Sequence, residues 1–210
     1  MAAARGAISD HGGRLPNLEN MKSIGERLTG FGRPKSVVTR QRKPHAILFH
    51  GDGHTPNNPR FPFILYRTPV SLAAGSDPAA VFEVLFASNG WKPTWRNGIY
   101  PYDHFHTGTH EVLGIARGHA RVRLGGQQGR DIEVHAGDVV IHPAGVAHRL
   151  LSGSNDLLVV GAYPKDCRYD EPRPNGIDYE KAVRDIAKVA SPATDPVYGR
   201  SGPLTSLWSS

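Results

Sequence analysis

From His45 onward, short apolar runs alternate with turn residues along the chain. The runs are five to eight residues long and are separated by Gly, Pro and Asn. They read "HAILFH", "FPFILYR", "EVLGIARG", "HARVRLGG", "RDIEVHAG", "DVVIHPAG", "AHRLL" and "DLLVVGAY". Runs of this length and spacing are typical of strands in an antiparallel sandwich or barrel. The pattern therefore predicts a mainly β protein.

Two segments have a helical period instead. In residues 76–91, Ser76 or Asp77 is a candidate N-cap, Pro78 suits the first turn, and Asn89 marks the end. The apolar residues of this segment share one helical face: Val81, Phe82, Leu85 and Phe86. Residues 176–190 repeat the pattern with Tyr179, Ala182, Val183 and Ile186. We expect two helices that pack on the β body.

Length and cysteine usage narrow the class of protein. A chain of 210 residues can bury the core of one domain. Its longest apolar runs are much shorter than the roughly 20 residues of a membrane-spanning helix, so we expect no membrane partner. The single cysteine, Cys167, has no partner for an intramolecular disulfide, which fits a reducing compartment.

The positive charge is concentrated at the N-terminus. Residues 1–43 hold nine of the 25 Lys/Arg and three of the 19 Asp/Glu, and the remainder holds 16 of each. We expect a basic, poorly ordered arm (1–43), a β-barrel domain with one peripheral helix (44–175), and a C-terminal helix with a docked tail (176–210). The arm lacks the interleaved aromatics of nucleic-acid binding motifs, so we expect no nucleic-acid partner. We expect a cytoplasmic protein, with mitochondrial targeting by the arm as the alternative.

The segment "HFHTGTHE" carries the candidate chemistry. Alternate residues of a strand share a face, so His104 and His106 form a bite for one metal ion. Gly108 allows the chain to turn, so that Glu111 on the returning strand faces the same centre. A later hairpin carries His148 inward. Three imidazoles and one carboxylate would leave two adjacent positions free on an octahedral ion.

Two more histidines lie close to this set. His110 is adjacent to Glu111 and could replace or supplement it as a ligand. Strand parity turns His110 to the opposite face, so we expect a hydrogen-bonding or solvent role for it. His142 precedes His148 by six residues, and we assign no role to it.

Other candidates have simpler interpretations. His45, His50 and His54 lack the spacing of a site, and we expect them in a solvated loop. Arg121 and Arg123 alternate with apolar residues and lie either on the outer face of a strand or in the cavity, where they would bind an acidic substrate.

Four aromatic residues precede the first motif. Tyr100 and Tyr102 share a face with the histidines and are the candidate catalytic residues, since a phenol there could orient a substrate or donate a proton. Filling of the barrel is the alternative for both. Trp91 and Trp95 are expected to pack the first helix onto the barrel.

These residues resemble two motifs of the cupin superfamily, the RmlC-like jelly rolls. With spacings of five, one, four and six residues, the first motif comprises Gly98, His104, His106, Glu111 and Gly118. After 18 residues the second comprises Gly137, Pro143, Ala144, Gly145 and His148. Ser152 stands where the second motif often has a non-ligand Asn. Residues 45–208 resemble the single-domain, uncharacterised YjlB-like cupins.

The resemblance implies a double-stranded β-helix that holds a divalent ion in its mouth. Imidazole and carboxylate donors without thiolate suit Fe, Mn, Zn or Ni. The resemblance implies no particular reaction, because cupins include enzymes of many kinds, sensors and storage proteins.

Two classes of function remain open. The first is a metal-dependent enzyme, a dioxygenase or isomerase, that acts on a small oxygenated metabolite. The second is a non-catalytic module that binds a metal and a small molecule. A storage role fits less well, because storage cupins are usually double-barrel proteins. We also predict a homodimer, in which residues 45–67 supply a strand across a twofold interface.

Overall fold

The structure, a computed structural model, describes residues 34, 37–72 and 75–209. Within these ranges the chain forms nine strands: β1 His45–Phe49, β2 Asn58–Tyr66, β3 Trp91–Asn97, β4 Glu111–Arg117, β5 His119–Leu124, β6 Arg130–His135, β7 Val139–His142, β8 His148–Gly153 and β9 Leu158–Pro164. Eight of them coincide with the eight apolar runs. Most of the predicted basic arm, residues 1–33 and 35–36, lies outside the described residues.

The strands form two antiparallel sheets. The larger sheet has the order β1-β2-β7-β4-β9-β3, and the smaller has the order β6-β5-β8. One apolar cluster joins the sheets, with Leu113 and Val140 contributed by the larger sheet and Val122 and Val134 by the smaller. This arrangement is the predicted jelly-roll fold. β1 lies at an edge and pairs with β2 of the same chain, and the homodimer stays a prediction.

Alternation along β5 decides the position of the two arginines. Val122 and its alternate neighbours face the core, while Arg121 and Arg123 point outward. On the outer face Arg121 Nη2 lies 2.9 Å and Arg123 Nε 2.7 Å from the Asp131 carboxylate. Both arginines therefore lie outside the barrel cavity.

Helix α1 (Pro78–Ser88) covers the outer face of the larger sheet. Asp77 is its N-cap, with a side chain that accepts a hydrogen bond from a backbone amide of the first turn, and Asn89 is its C-cap. The first predicted helix is thus confirmed at both ends. Phe82 packs directly on Gly114 of β4, where a Cβ atom would overlap the phenyl ring.

The apolar pattern does not predict strand β3. Its sequence, "WKPTWRN", contains Pro93, which a strand tolerates because β3 lies at a sheet edge. Trp91 is fully buried in the cluster that includes α1, as predicted. Trp95 instead packs over Gly161 and against the cluster between the sheets, so the prediction for Trp95 is wrong. The reason is an irregularity in the pairing of β3 with β9 between Trp91 and Thr94, which turns Trp95 to the opposite face of the sheet from Trp91.

The second predicted helix is α2 (Tyr179–Ala187), with Asp178 as its N-cap. It buries Ala182 and Ile186, whereas Val183 is 36% exposed. No helix of the described residues is long and apolar enough to cross a bilayer.

The chain ends on a short helix, α3 (Pro203–Leu207), that packs on β2. Trp208 follows it and is fully buried. Its indole stacks on Phe61 with ring centroids 5.1 Å apart, and its Nε1 donates to the Pro62 carbonyl over 2.9 Å. The last turn of the chain therefore belongs to the core of the fold.

We expect Trp208→Ala to lower the free energy of unfolding by about 3–5 kcal/mol, because it leaves a large cavity in a packed cluster. Urea denaturation followed by circular dichroism would measure this. Leu207→Ala is the control: Leu207 is 38% exposed, and the loss should stay below about 1 kcal/mol. Equal losses in the two variants would contradict the packing role of Trp208.

Candidate metal centre

Residues 98–110 connect β3 to β4 and carry the first two histidines of the site. The strand predicted here is reduced to one antiparallel bridge between His104 and His148. The His104 amide donates to the His148 carbonyl over 3.3 Å, and the His148 amide donates to the His104 carbonyl over 3.0 Å. The centroids of the two rings lie 4.2 Å apart. Backbone hydrogen bonds thus join the two histidine motifs.

Glu111, the first residue of β4, lies between the imidazoles. Its Oε2 atom is 3.3 Å from His148 Nε2 and 3.5 Å from His106 Nε2. The His104 ring centroid is 6.1 Å from that of His106. All four side chains are buried, with exposures of 2–5%. The structure therefore brings the four predicted ligands together, and their role as ligands stays a prediction.

Backbone carbonyls orient the three imidazoles. Nδ1 of His104 lies 3.2 Å from the Tyr102 carbonyl, and Nδ1 of His148 lies 3.4 Å from the Val146 carbonyl. Nδ1 of His106 contacts the Asp170 carbonyl. A carbonyl only accepts, so each Nδ1 carries a proton, and each ring in its neutral form presents a lone pair at Nε2. This is the tautomer that binds metal ions through Nε2.

Burial and charge set the protonation of the site. Burial, with the neighbouring His148, lowers the pKa of His104 to about 3. Burial alone would raise the pKa of Glu111, but interactions with His106 and His148 outweigh it and hold that pKa well below its usual value. Burial likewise opposes the charge on His106, and the Glu111 carboxylate overcomes it and raises the pKa of that imidazole. The centre thus contains an ionised carboxylate and a neutral His104 at neutral pH.

A divalent ion fits the unpaired atoms of this site. Among the described residues, Oε2 of Glu111 and Nε2 of His106 are buried and have no hydrogen-bond partner. Two donors at right angles around an ion about 2.1 Å away lie about 3 Å apart. The separations of 3.3 and 3.5 Å are close to that value. Buried polar atoms are nearly always paired, so a bound ion would account for these two unpaired atoms.

His142 is a further buried imidazole beside these residues, and the sequence pattern assigned it no role. It ends β7 directly opposite Glu111, and its ring stacks on His148 with centroids 4.1 Å apart. Donor atoms of Glu111, His142 and His148 lie within 4.8 Å of one another. Strand parity, applied to β7 as it was to His104 and His106, would have placed His142 on the inner face.

Comparison with known proteins agrees with this geometry. Residues 96–160 match the family model described as Cupin domain. The "Uncharacterized protein YjlB" of Bacillus subtilis (strain 168) is 36% identical over 168 residues, which cover 80% of this chain and 98% of that protein. This chain belongs to the cupin family. The family assignment rests on that relative and on the domain match.

Solved cupin structures show more distant likeness. WlaRA, a TDP-fucose-3,4-ketoisomerase from Campylobacter jejuni, is 12% identical with a TM-score of 0.34, over 45% of this chain and 73% of that one. Oxalate decarboxylase OxdC of Bacillus subtilis is 18% identical with a TM-score of 0.34, over 56% of this chain and 29% of that one. At these scores neither enzyme informs the reaction of this cupin.

The candidate catalytic tyrosines line the exposed side of the cupin site. The rings of Tyr100 and Tyr102 stack with centroids 5.0 Å apart, and their centroids lie 5.1 and 5.9 Å from that of His104. Tyr100 is 40% exposed, and the guanidinium of Arg173 covers Tyr102 at 3.8 Å. Both phenols therefore border the entrance and do not fill the core.

Two further tyrosines lie beside the imidazole of His106. Tyr163 on β9 lies 5.7 Å from His106 between ring centroids, and its phenol accepts from Trp95 Nε1 over 3.0 Å. Burial, and then the charge of Glu111, raises the pKa of Tyr163. The Tyr169 ring centroid lies 5.3 Å from that of His106. No spacing in the sequence links either tyrosine to the motifs, because long-range folding alone places them there.

His110 lies outside the centre, as strand parity predicts. Its Nδ1 accepts from the Ala144 amide over 2.9 Å, and its Nε2 lies 3.1 Å from the Ala190 carbonyl. Phe61 and Trp208 flank its ring. Burial lowers the pKa of His110 to about 4, so it is neutral at neutral pH. With both nitrogens engaged, His110 neither replaces nor supplements Glu111.

The remaining sequence candidates lie on the surface. His45, His50 and His54 are exposed, as predicted, but His45 is the first residue of β1 and does not lie in a loop. Cys167 is also exposed and free.

The segment 168–172 packs on the first motif. Asp170 Oδ1 accepts from the amides of Thr107 over 2.7 Å and Gly108 over 3.3 Å, and its other oxygen accepts from the Thr107 hydroxyl. Gly108 is required because a Cβ atom there would overlap the Arg168 backbone. Since the Asp170 carbonyl also contacts His106, this segment helps to orient that ligand.

We expect Thr107→Val to lower the free energy of unfolding by about 1–2 kcal/mol, because the buried Thr107 hydroxyl no longer donates to the half-buried Asp170 carboxylate while the side-chain volume is kept. Thr107→Ser retains the hydroxyl and should lose less. Chemical denaturation of the two variants would measure the difference. If Thr107→Ser lost as much as Thr107→Val, the methyl group and not the hydrogen bond would be the stabilising group.

Proposed function

We propose that this cupin binds one divalent metal ion through His104, His106, Glu111 and His148. The observation that carries the proposal is the common orientation of the three imidazoles. Each has its Nδ1 at a backbone carbonyl, which leaves Nε2 free, and two of these Nε2 atoms lie within 3.5 Å of one carboxylate oxygen. Three imidazoles and one carboxylate suit Fe, Mn, Zn or Ni.

We propose further that the bound ion serves a reaction on a small oxygenated metabolite, of the oxygenase or isomerase type. Such an ion can polarise a substrate oxygen or lower the pKa of bound water. The chain adds protic groups beside the ligands. Tyr163 lies beside His106, and Tyr169 donates to the Glu171 carboxylate over 2.5 Å next to the same imidazole. Glu171 is thus a candidate acid or base outside the ligand set.

The non-catalytic module remains the alternative, with the same ligands. The sequence shows no evident general base apart from the ligands, and this absence favours the binding module. Glu171, placed near the entrance by the segment 168–172, supplies such a group and favours the enzyme.

We expect protein purified without added metal to contain close to one divalent ion per chain by elemental analysis. His104→Ala and His148→Ala should each reduce the bound metal at least about tenfold, because each removes a donor. His135→Ala is the matched control, since His135 is exposed on the outer face of the smaller sheet. Unchanged metal content in both site variants would contradict the proposed centre.

We expect metal-loaded protein to convert a component of a metabolite extract, detected by mass spectrometry before and after incubation. Glu171→Gln should retain the metal and lower conversion by about 10²-fold, because it removes a titratable group without changing shape. Recovery of a co-purified ligand unchanged, with no conversion by any loaded form, would support the binding module instead.

A further inference from the structure

His142 is a buried imidazole without an assigned role. It is 2% exposed, and among the described residues neither ring nitrogen has a hydrogen-bond partner. Its neighbours are the rings of Phe63, with centroids 5.2 Å apart, and His148, at 4.1 Å. Neither neighbour satisfies a nitrogen.

A buried imidazole without hydrogen bonds destabilises the fold unless a ligand binds one of its nitrogens. A neutral imidazole always carries one N–H donor and one acceptor lone pair. Burying an unpaired polar group costs about 1–3 kcal/mol, and a leucine at this position would avoid that cost.

The register of the larger sheet directs the His142 side chain toward the proposed metal centre. In the register of β4 and β7, Glu111 pairs with His142 and Leu113 pairs with Val140. Leu113 and Val140 both lie in the cluster between the sheets, so Glu111 and His142 share its inner face. Donor atoms of Glu111, His142 and His148 lie within 4.8 Å of one another. His142 and His104 therefore flank His148 on two sides, at 4.1 and 4.2 Å.

We propose, on the basis of the metal centre proposed above, that His142 is its fifth protein donor. It would occupy one of the two positions that the four-residue set leaves free on an octahedral ion. A single position then remains for an exogenous donor. A substrate would bind this ion through one atom at a time, and chelation through two atoms would require His142 to leave.

Proton NMR of the full-length protein titrated with Co²⁺ counts the coordinated histidines directly. Each bound imidazole gives one exchangeable, paramagnetically shifted ring N–H resonance. We expect four such resonances in the wild type and three in His142→Leu. His135→Leu, on the outer face, should keep four. His142→Asn is the second variant, and it should show the same three resonances if the leucine variant does not fold.

The melting temperature without metal and the Co²⁺ affinity of the same variants show whether His142 is a metal ligand or a structural residue. Without metal, His142→Leu should melt at the same temperature as the wild type or higher, because it removes two unpaired buried nitrogens. Its Co²⁺ affinity, measured by competition with a chelator, should fall at least about tenfold. A lower melting temperature with unchanged affinity would mean that His142 is structural.

The outcomes distinguish this inference from the proposed function. Three resonances in both wild type and His142→Leu would overturn the role of His142 and leave the four-residue centre standing. Failure of the wild type to bind Co²⁺ would overturn the proposed centre itself. Four resonances that fall to three only in the His142 variants support the five-donor centre.

Discussion

The reciprocal backbone hydrogen bonds between His104 and His148 are the contact on which the site depends. They join the loop after β3 to the start of β8, and they belong to no regular strand pairing. A third backbone hydrogen bond, from the Gly145 amide to the His106 carbonyl over 2.7 Å, joins the same two motifs. Because both reciprocal hydrogen bonds are made by the backbone, the position of the two imidazoles does not depend on the solvent around their rings.

The electrostatics of the centre follow from this geometry. Glu111 is an ionised carboxylate in a buried position, which is tolerated only when positive or polar partners surround it. His106 and His148 supply those partners. The carbonyls of Tyr102 and Val146 accept from Nδ1 of His104 and His148 and so orient these two rings. Oε2 of Glu111 and Nε2 of His106 are therefore buried without a hydrogen-bond partner and lie 3.5 Å apart. Such an arrangement is typical of a binding site and unusual in a core.

Residues from the C-terminal third of the chain contact the metal-site loop on one face of the larger sheet and His110 on the other. The segment 168–172 packs on the loop that carries His106, and Asp170 contacts that ring through its carbonyl. On the other face of the larger sheet, Trp208 packs against His110, the residue next to Glu111 in sequence. Adjacent histidine and glutamate side chains therefore lie in different layers of the fold.

The sequence by itself determined the eight apolar strands, helix α1 and the proximity of the four candidate ligands, because strand parity and turn chemistry are local. Strand β3 escaped prediction since Pro93 interrupts its pattern, and only its edge position makes it a strand. The placements of His142, Tyr163 and Asp170 were decided by tertiary structure. Their positions depend on strand register and on the return of the chain across the barrel, and both are set by packing between segments far apart in sequence.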